Sequence, residues 1–153
     1  MNIFVLHEDP EKAARMQCDK HVVKMVLETA QLLCSVAHSK GKVTPYKPTH
    51  ANHPCTLWAG ASKANWDWLI NHGLALCDEY TKRYGKIHKS QQVIVKCKRF
   101  KMRWPETGPT PFAQAMPEEY KALDPVLAYR SYYRNEKKDI ATWNYSEAPA
   151  WWS

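Results

Sequence analysis

Apolar and polar residues alternate along the chain with helical spacing in three stretches. Between Lys47 and Ser90, Ala61, Asn65, Trp68, Leu69, His72, Leu76 and Tyr80 recur every three or four residues, the period of a helix face turned to a core. Ser62 stands where an N-cap belongs and Gly85 where a left-handed C′ residue belongs, so this helix has a stop signal at each end. Asn65 and His72 interrupt its inward stripe. A buried amide or imidazole left unpaired costs about 1–3 kcal/mol, so the two are either satisfied core groups or the floor of a site.

An earlier helix starts at Asp9-Pro10-Glu11, with Asp as N-cap, Pro at the first position and an acid in the first turn. Its pattern runs to about His38, too long for one ordinary helix, and a break is expected near Cys18. From Gln17 to Val36 the apolar arc is Val22, Met25, Val26, Thr29, Leu33 and Val36. Opposite it, Gln17, Lys20, His21, Lys24, Glu28 and Gln31 form one polar stripe. Such a stripe is either a solvated face with a Lys24/Glu28 pair four residues apart, or a catalytic face with a carboxylate sheltered among cations. Residues 2–7, NIFVLH, read as a short strand or a buried extended arm that holds the α-amino end near the core.

The third helix opens at Asp124-Pro125 and is expected to reach about Trp143, with Tyr129, Tyr132, Tyr133 and Ile140 packing and Arg130, Arg134, Lys137 and Lys138 outside. Trp151 and Trp152 are too apolar to float, so the tail is expected to dock. Residues 39–49 and 86–116 read as loops, the second containing KCKRFKMRW from Lys96 to Trp104, whose alternation suits a strand or ribbon. The pattern predicts a mainly α protein: a compact single-domain helical bundle over residues 1–153, with a short N-terminal extended arm and a long basic loop.

A formal net charge of +7 adds a polyanionic partner, most often nucleic acid, to this picture. Seven Trp and eight Tyr, many beside Lys or Arg, offer flat surfaces for unstacked bases as well as core filling. Five scattered cysteines without a CxxC pair point to a reducing compartment. The acidic turn after only a few apolar residues at the amino end shows no signal peptide or membrane span, so a cytoplasmic protein without membrane partners is expected. Cys18 with His21, and His50 with His53 and Cys55, have spacings that could approach a zinc site, but neither matches a standard finger, and no metal or other cofactor is expected. Gly-rich phosphate loops are missing, which argues against nucleotide triphosphate chemistry. Base excision uses more of the unusual features at once: a basic cleft, groups to hold a displaced base, and a carboxylate or amine at the sugar.

Three stretches carry a family resemblance: MNIFVLH before a polar-faced helix, the Asn52-His53-Pro54 turn leading into a helix, and EYTKRYGKI from Glu79 to Ile87. Met116 to Tyr120 and the aromatic tail echo it more weakly. Together they resemble the pyrimidine-dimer DNA glycosylases with abasic-site lyase activity, the endonuclease V type of phage repair enzyme. The resemblance implies a compact helical domain acting on double-stranded DNA as a monomer, in the host cytoplasm if phage-encoded. It also implies an N-terminal α-amine that attacks a sugar carbon to form an imine, with an acid and arginines on the first long helix. An α-amine keeps more of its neutral, nucleophilic form at neutral pH than a lysine does.

Where the family carries an adjacent Arg-Glu pair, this chain has His21-Val22-Val23. Asp19, Lys24 and Glu28 are the substitutes, Glu28 foremost because it shares the stripe with His21 and Lys24. Asn2 stands beside Met1, leaving open which of the two presents the amine. The implied substrate side comprises Asn52, His53, Trp58, Asn65 and His72 for the pocket, with Tyr84, Lys86, His88 and Lys89 on phosphates. The alternatives are a noncatalytic nucleic-acid-binding or host-modulating phage protein on the same scaffold, and a metal-dependent nuclease.

Overall fold

Each helix start marked in the sequence is a real cap in the computed structural model, which describes residues 1–152. Asp9 accepts from the amides of Glu11 and Lys12 and opens α1 (Pro10–Met16). Extended backbone at Gln17 and Cys18 breaks the pattern before α2 (Asp19–Ser39), about 31 Å long at the usual rise. His53 caps α3 (Pro54–Ala61) by accepting from the Cys55 amide, and Ser62 caps α4 (Lys63–Tyr84) by accepting from the Asn65 amide. Gly85, at φ 71°, takes the left-handed turn that ends α4. Then follow α5 (Gln91–Lys98) and α6 (Pro125–Glu136), the latter capped by Asp124, and two short 3-10 turns at Glu118–Tyr120 and Ala150–Trp152.

The two long helices α2 and α4 form the centre, with α1 on α4 and α3 and α5 packed against both. Their close approach depends on Gly73. A Cβ there would lie 2.9 Å from Thr29 Cγ2 and 3.2 Å from Ile94 Cδ1, so α2, α4 and α5 meet at a point with no room for a side chain.

Arg83 ties the pieces together. Its buried guanidinium donates to Glu79 Oε1 (2.9 Å), to the Gln17 carbonyl (2.8 Å), to Asp19 Oδ1 (3.2 Å) and to the Arg15 carbonyl (3.0 Å). One cation therefore satisfies the end of α1, the start of α2 and the last turn of α4, using the fixed fork that only arginine offers.

Several sequence expectations are revised. Residues 2–7 are the buried arm and not a strand; Phe4 adopts φ 59°, which bends the arm out of any regular ladder. The Lys96–Trp104 ribbon is instead the end of α5 followed by irregular chain, and the described residues contain no strand. Val93, Ile94 and Cys97 bury one face of α5, so the β-branched run obeys a helical spacing. The Asn52-His53-Pro54 turn feeds a separate helix, α3, which leaves Ala61 exposed at its end. The last helix stops at Glu136, short of Trp143. The aromatic tail docks as expected: Trp151 and Trp152 set their rings edge-on to Tyr133, at 6.0 and 6.1 Å, and Trp143 Nε1 donates to the Met16 carbonyl. No helix among the described residues is long and apolar enough to cross a membrane.

Candidate active site

The stripe on α2 is not solvated throughout. Lys20 and Lys24 are exposed, whereas His21 and Glu28 are covered by the N-terminal arm and its neighbours. Ile3, Phe4, Val5 and Leu6 of the arm are almost wholly buried. Asn2 fixes its start: Oδ1 accepts from the amides of Ile3 (2.7 Å) and Phe4 (3.1 Å), and Nδ2 donates to the Ala115 carbonyl (2.8 Å). Gln17 Nε2 donates to the Ile3 carbonyl and Arg130 Nε to the Leu6 carbonyl, pinning the arm from both sides.

This anchoring brings the α-amino nitrogen of Met1 to 3.4 Å from Glu28 Oε1, with the Met1 side chain only 4% exposed. Lys24 Nζ lies 3.7 Å from Glu28 Oε2, one turn back on the same helix, with 68% of its side chain exposed. The Glu28 side chain is 9% exposed, and no protein donor among the described residues hydrogen-bonds either of its oxygens. A carboxylate taken out of water is costly unless charges of the opposite sign stand beside it. Two cations offset the charge without occupying the hydrogen-bonding positions of the oxygens.

The opposite wall comes from the turn before α3 and from the C-terminal third. His53 Nδ1 accepts from the Cys55 amide (3.1 Å), so its proton sits on Nε2. Burial holds the His53 ring below the usual imidazole range, and the Met1 ammonium and His50 add to that, while Glu28 and the Met1 main chain oppose it. Cys55 is fully buried beside Tyr129, its thiol pushed up to about 12 by burial. Tyr129 in turn donates to the Ala113 carbonyl and accepts from the Ala115 amide, securing the segment that holds Asn2. A surface groove of about 450 Å³ between α2 and residues 45–49, lined by Leu27, Gln31, Tyr46 and Lys47, lies within one turn of Glu28 along the helix.

Of the residues singled out from sequence, Glu28, Lys24, Asn2 and His53 converge here. The others have different places. His21 stacks on Phe4 at 4.4 Å, and its Nδ1 shares a hydrogen bond with the Tyr133 hydroxyl at 2.6 Å. Burial, with Lys137 and Lys24 nearby, brings its pKa down to about 3, so the ring is neutral and supports the arm. Asp19 is held by Arg83 and by the Asn144 amide (2.7 Å). His72 is fully buried on the α1 side, accepting from Gln17 Nε2 and donating from Nδ1 to the Pro10 carbonyl. Asn65 is a satisfied core amide, donating to the Trp58 carbonyl and Thr110 Oγ1 and accepting from the Thr110 amide. Trp58 donates to the Thr110 carbonyl and packs between Trp68 and Phe112.

Asn52, Lys86 and Lys89 are exposed. Tyr84 donates to the Asp19 carbonyl, and His88 Nε2 donates to the Val23 carbonyl, setting the 86–89 loop over the first half of α2. Among the described residues no three His, Cys, Asp or Glu side chains gather as a metal site would require. Cys18 and His21 both turn to the Tyr133 hydroxyl instead. Sequence reasoning missed Tyr129, Cys55 and the 113–115 segment as walls of the site. The only available signal was the inward spacing of Tyr129.

Neither curated proteins nor solved structures give a match to this chain. The family model described as pyrimidine dimer DNA glycosylase matches residues 1–93, the span that contains Met1, Lys24, Glu28 and His53. That is more than half of the 153 residues, and the chain belongs to the pyrimidine dimer DNA glycosylase family.

Proposed function

We propose that this glycosylase excises a damaged pyrimidine from duplex DNA with its own α-amine and then cleaves the abasic site as a lyase. The observation that carries the reading is the sheltered Glu28 carboxylate 3.4 Å from the Met1 nitrogen. In the resting state the two form an ion pair. On substrate entry Glu28 takes a proton from the ammonium, and the neutral amine attacks C1′ of the damaged nucleotide. The C1′–N bond breaks, and its electron pair leaves with the base, which picks up a proton. The second proton on the attacking nitrogen moves to the sugar ring oxygen as the C1′–O4′ bond opens, leaving an imine. Glu28 is placed to stabilise the positive charge of its protonated form. Loss of a C2′ proton then breaks the C3′–O bond and releases the strand on the 3′ side with a 5′-phosphate, and water hydrolyses the remaining imine to free the amine.

Asn2 acts as a positioning residue, through the arm. Lys24, Lys47 and the exposed Lys86 and Lys89 supply phosphate contacts around α2. Incubation with ultraviolet-irradiated duplex and borohydride should trap a covalent adduct whose modified peptide starts at Met1. Glu28→Gln should lose base release while binding the duplex within a few-fold of wild type. Base release without a trapped adduct would exclude the amine; full turnover by Glu28→Gln would exclude the carboxylate. Binding with neither product would leave a noncatalytic DNA-binding protein.

A further inference from the structure

We propose that the groove beside α5 binds a short unpaired stretch of DNA strand, at a place separate from the Glu28 carboxylate. The groove has a volume of about 840 Å³ and is open along one side. α5 turns Val93, Ile94 and Cys97 into the core, with Cys97 Sγ 3.9 Å from Cys34 Sγ of α2. The residues left outward at helical spacing, Gln92, Val95, Lys96 and Arg99, make one wall, joined by Lys89 and Phe100.

No acidic side chain lines the groove. The cavity between α1 and α4 shows that this is a local choice and not just a consequence of net charge, for Glu11, Asp78 and Glu79 face it. The lining fits one kind of occupant. Lys89, Lys96 and Arg99 supply cations for backbone phosphates, while Val95 and the half-buried Phe100 ring give an apolar floor. A duplex keeps its base faces stacked inside and offers such a floor nothing, whereas an unpaired strand presents phosphates and flat bases together. Gln92 adds an amide that can meet a base edge.

The location suits a strand that continues into the active site. His88 lines the groove and donates to the Val23 carbonyl, and Val23 precedes Glu28 by about 7.5 Å of rise along α2.

The test needs no turnover, so its failure is distinct from failure of the excision reading. Intact protein is titrated into a fluorescent oligothymidylate of about six nucleotides, a length within the usual single-strand site sizes. Wild type should bind it although it carries no lesion to excise. Lys96→Gln combined with Arg99→Gln, both exposed, should weaken binding tenfold or more and reduce the log–log salt slope by about 1.4, two phosphate contacts at about 0.7 each. Phe100→Ala should also weaken it, with Phe100→Tyr close to wild type. Unchanged affinity in the double Gln variant would overturn the proposal. Thermal melts establish folding for each variant; if Phe100→Ala is unfolded, the double Gln variant decides alone.

Discussion

Replacing Arg83 by Met keeps most of the side chain's length and removes the one cation that Asp19 and Glu79 share inside the protein. Asp19 retains the Asn144 amide, and Glu79 retains no protein donor from this cluster. Two main-chain carbonyls, of Arg15 and Gln17, lose their donor at the same time. Breaking a buried pair from one side costs about 3–5 kcal/mol, and each stranded carbonyl adds about 1 kcal/mol or more, so the upper end, about 5 kcal/mol, is expected. For a domain of this size that corresponds to a melting temperature lower by roughly 10–20 °C.

Lysine at this position reaches one carboxylate at a time, and should cost about half as much. In the Met background, Asp19→Asn with Glu79→Gln removes the stranded charges and should recover about 2 kcal/mol. Urea and thermal unfolding followed by circular dichroism at pH 7 measure all four proteins. An Arg83→Met loss below about 1 kcal/mol, or no recovery in the triple variant, would refute the view that this guanidinium neutralises a buried cluster.

Two further outcomes concern stability. His21 and His72 have folded pKa values of about 3 and about 4, both below the usual 6.5 because burial penalises the charged ring. The unfolded chain therefore binds more protons below 6.5; stability is complete above that pH and falls as pH drops toward 4 and then 3, by about 2 kcal/mol per ring at pH 5. His72→Gln should be less stable overall yet show a flatter loss between pH 7 and 5 in urea titrations, and an unchanged slope would mean the ring is not held neutral. Gly73→Ala should destabilise by about 1–3 kcal/mol despite alanine's better helix propensity, because the new methyl meets Thr29 at 2.9 Å; a gain in urea midpoint would show that α2 and α5 can yield.

Local signals were the legible part of the fold. Asp9-Pro10, Ser62, Gly85 and Asp124-Pro125 act within one turn of themselves, so their effect is written beside them. Lys96 to Trp104 misled because cations alternating with Phe100, Met102 and Trp104 mimic a strand, whereas the helix that ends at Lys98 is fixed by burial of Val93, Ile94 and Cys97 against the long helices. Arg83 looked like part of a basic helix end, since a charge in a last turn reads the same whether it faces water or a partner 64 residues earlier. Asn65 and His72 announced that something must pair with them, but Thr110 and Pro10 are too distant in sequence to be inferred. Glu28 was visible as one member of a polar stripe. What shelters it, Met1, His53 and the segment near Ala115, is set by tertiary packing and leaves no spacing to read.

The arm that seats Met1 is gripped by residues made late. Asn2 waits for Ala115, Leu6 for Arg130, and Phe4 for Tyr132 and Tyr133. At ordinary ribosomal speeds roughly 6–25 s separate the emergence of these partners, during which the arm has only earlier contacts such as Gln17 and His21 to hold it. A message broken in its final third would yield a polypeptide with Glu28 on its helix and no Ala115, Arg130 or Tyr133 to hold the amino end beside it.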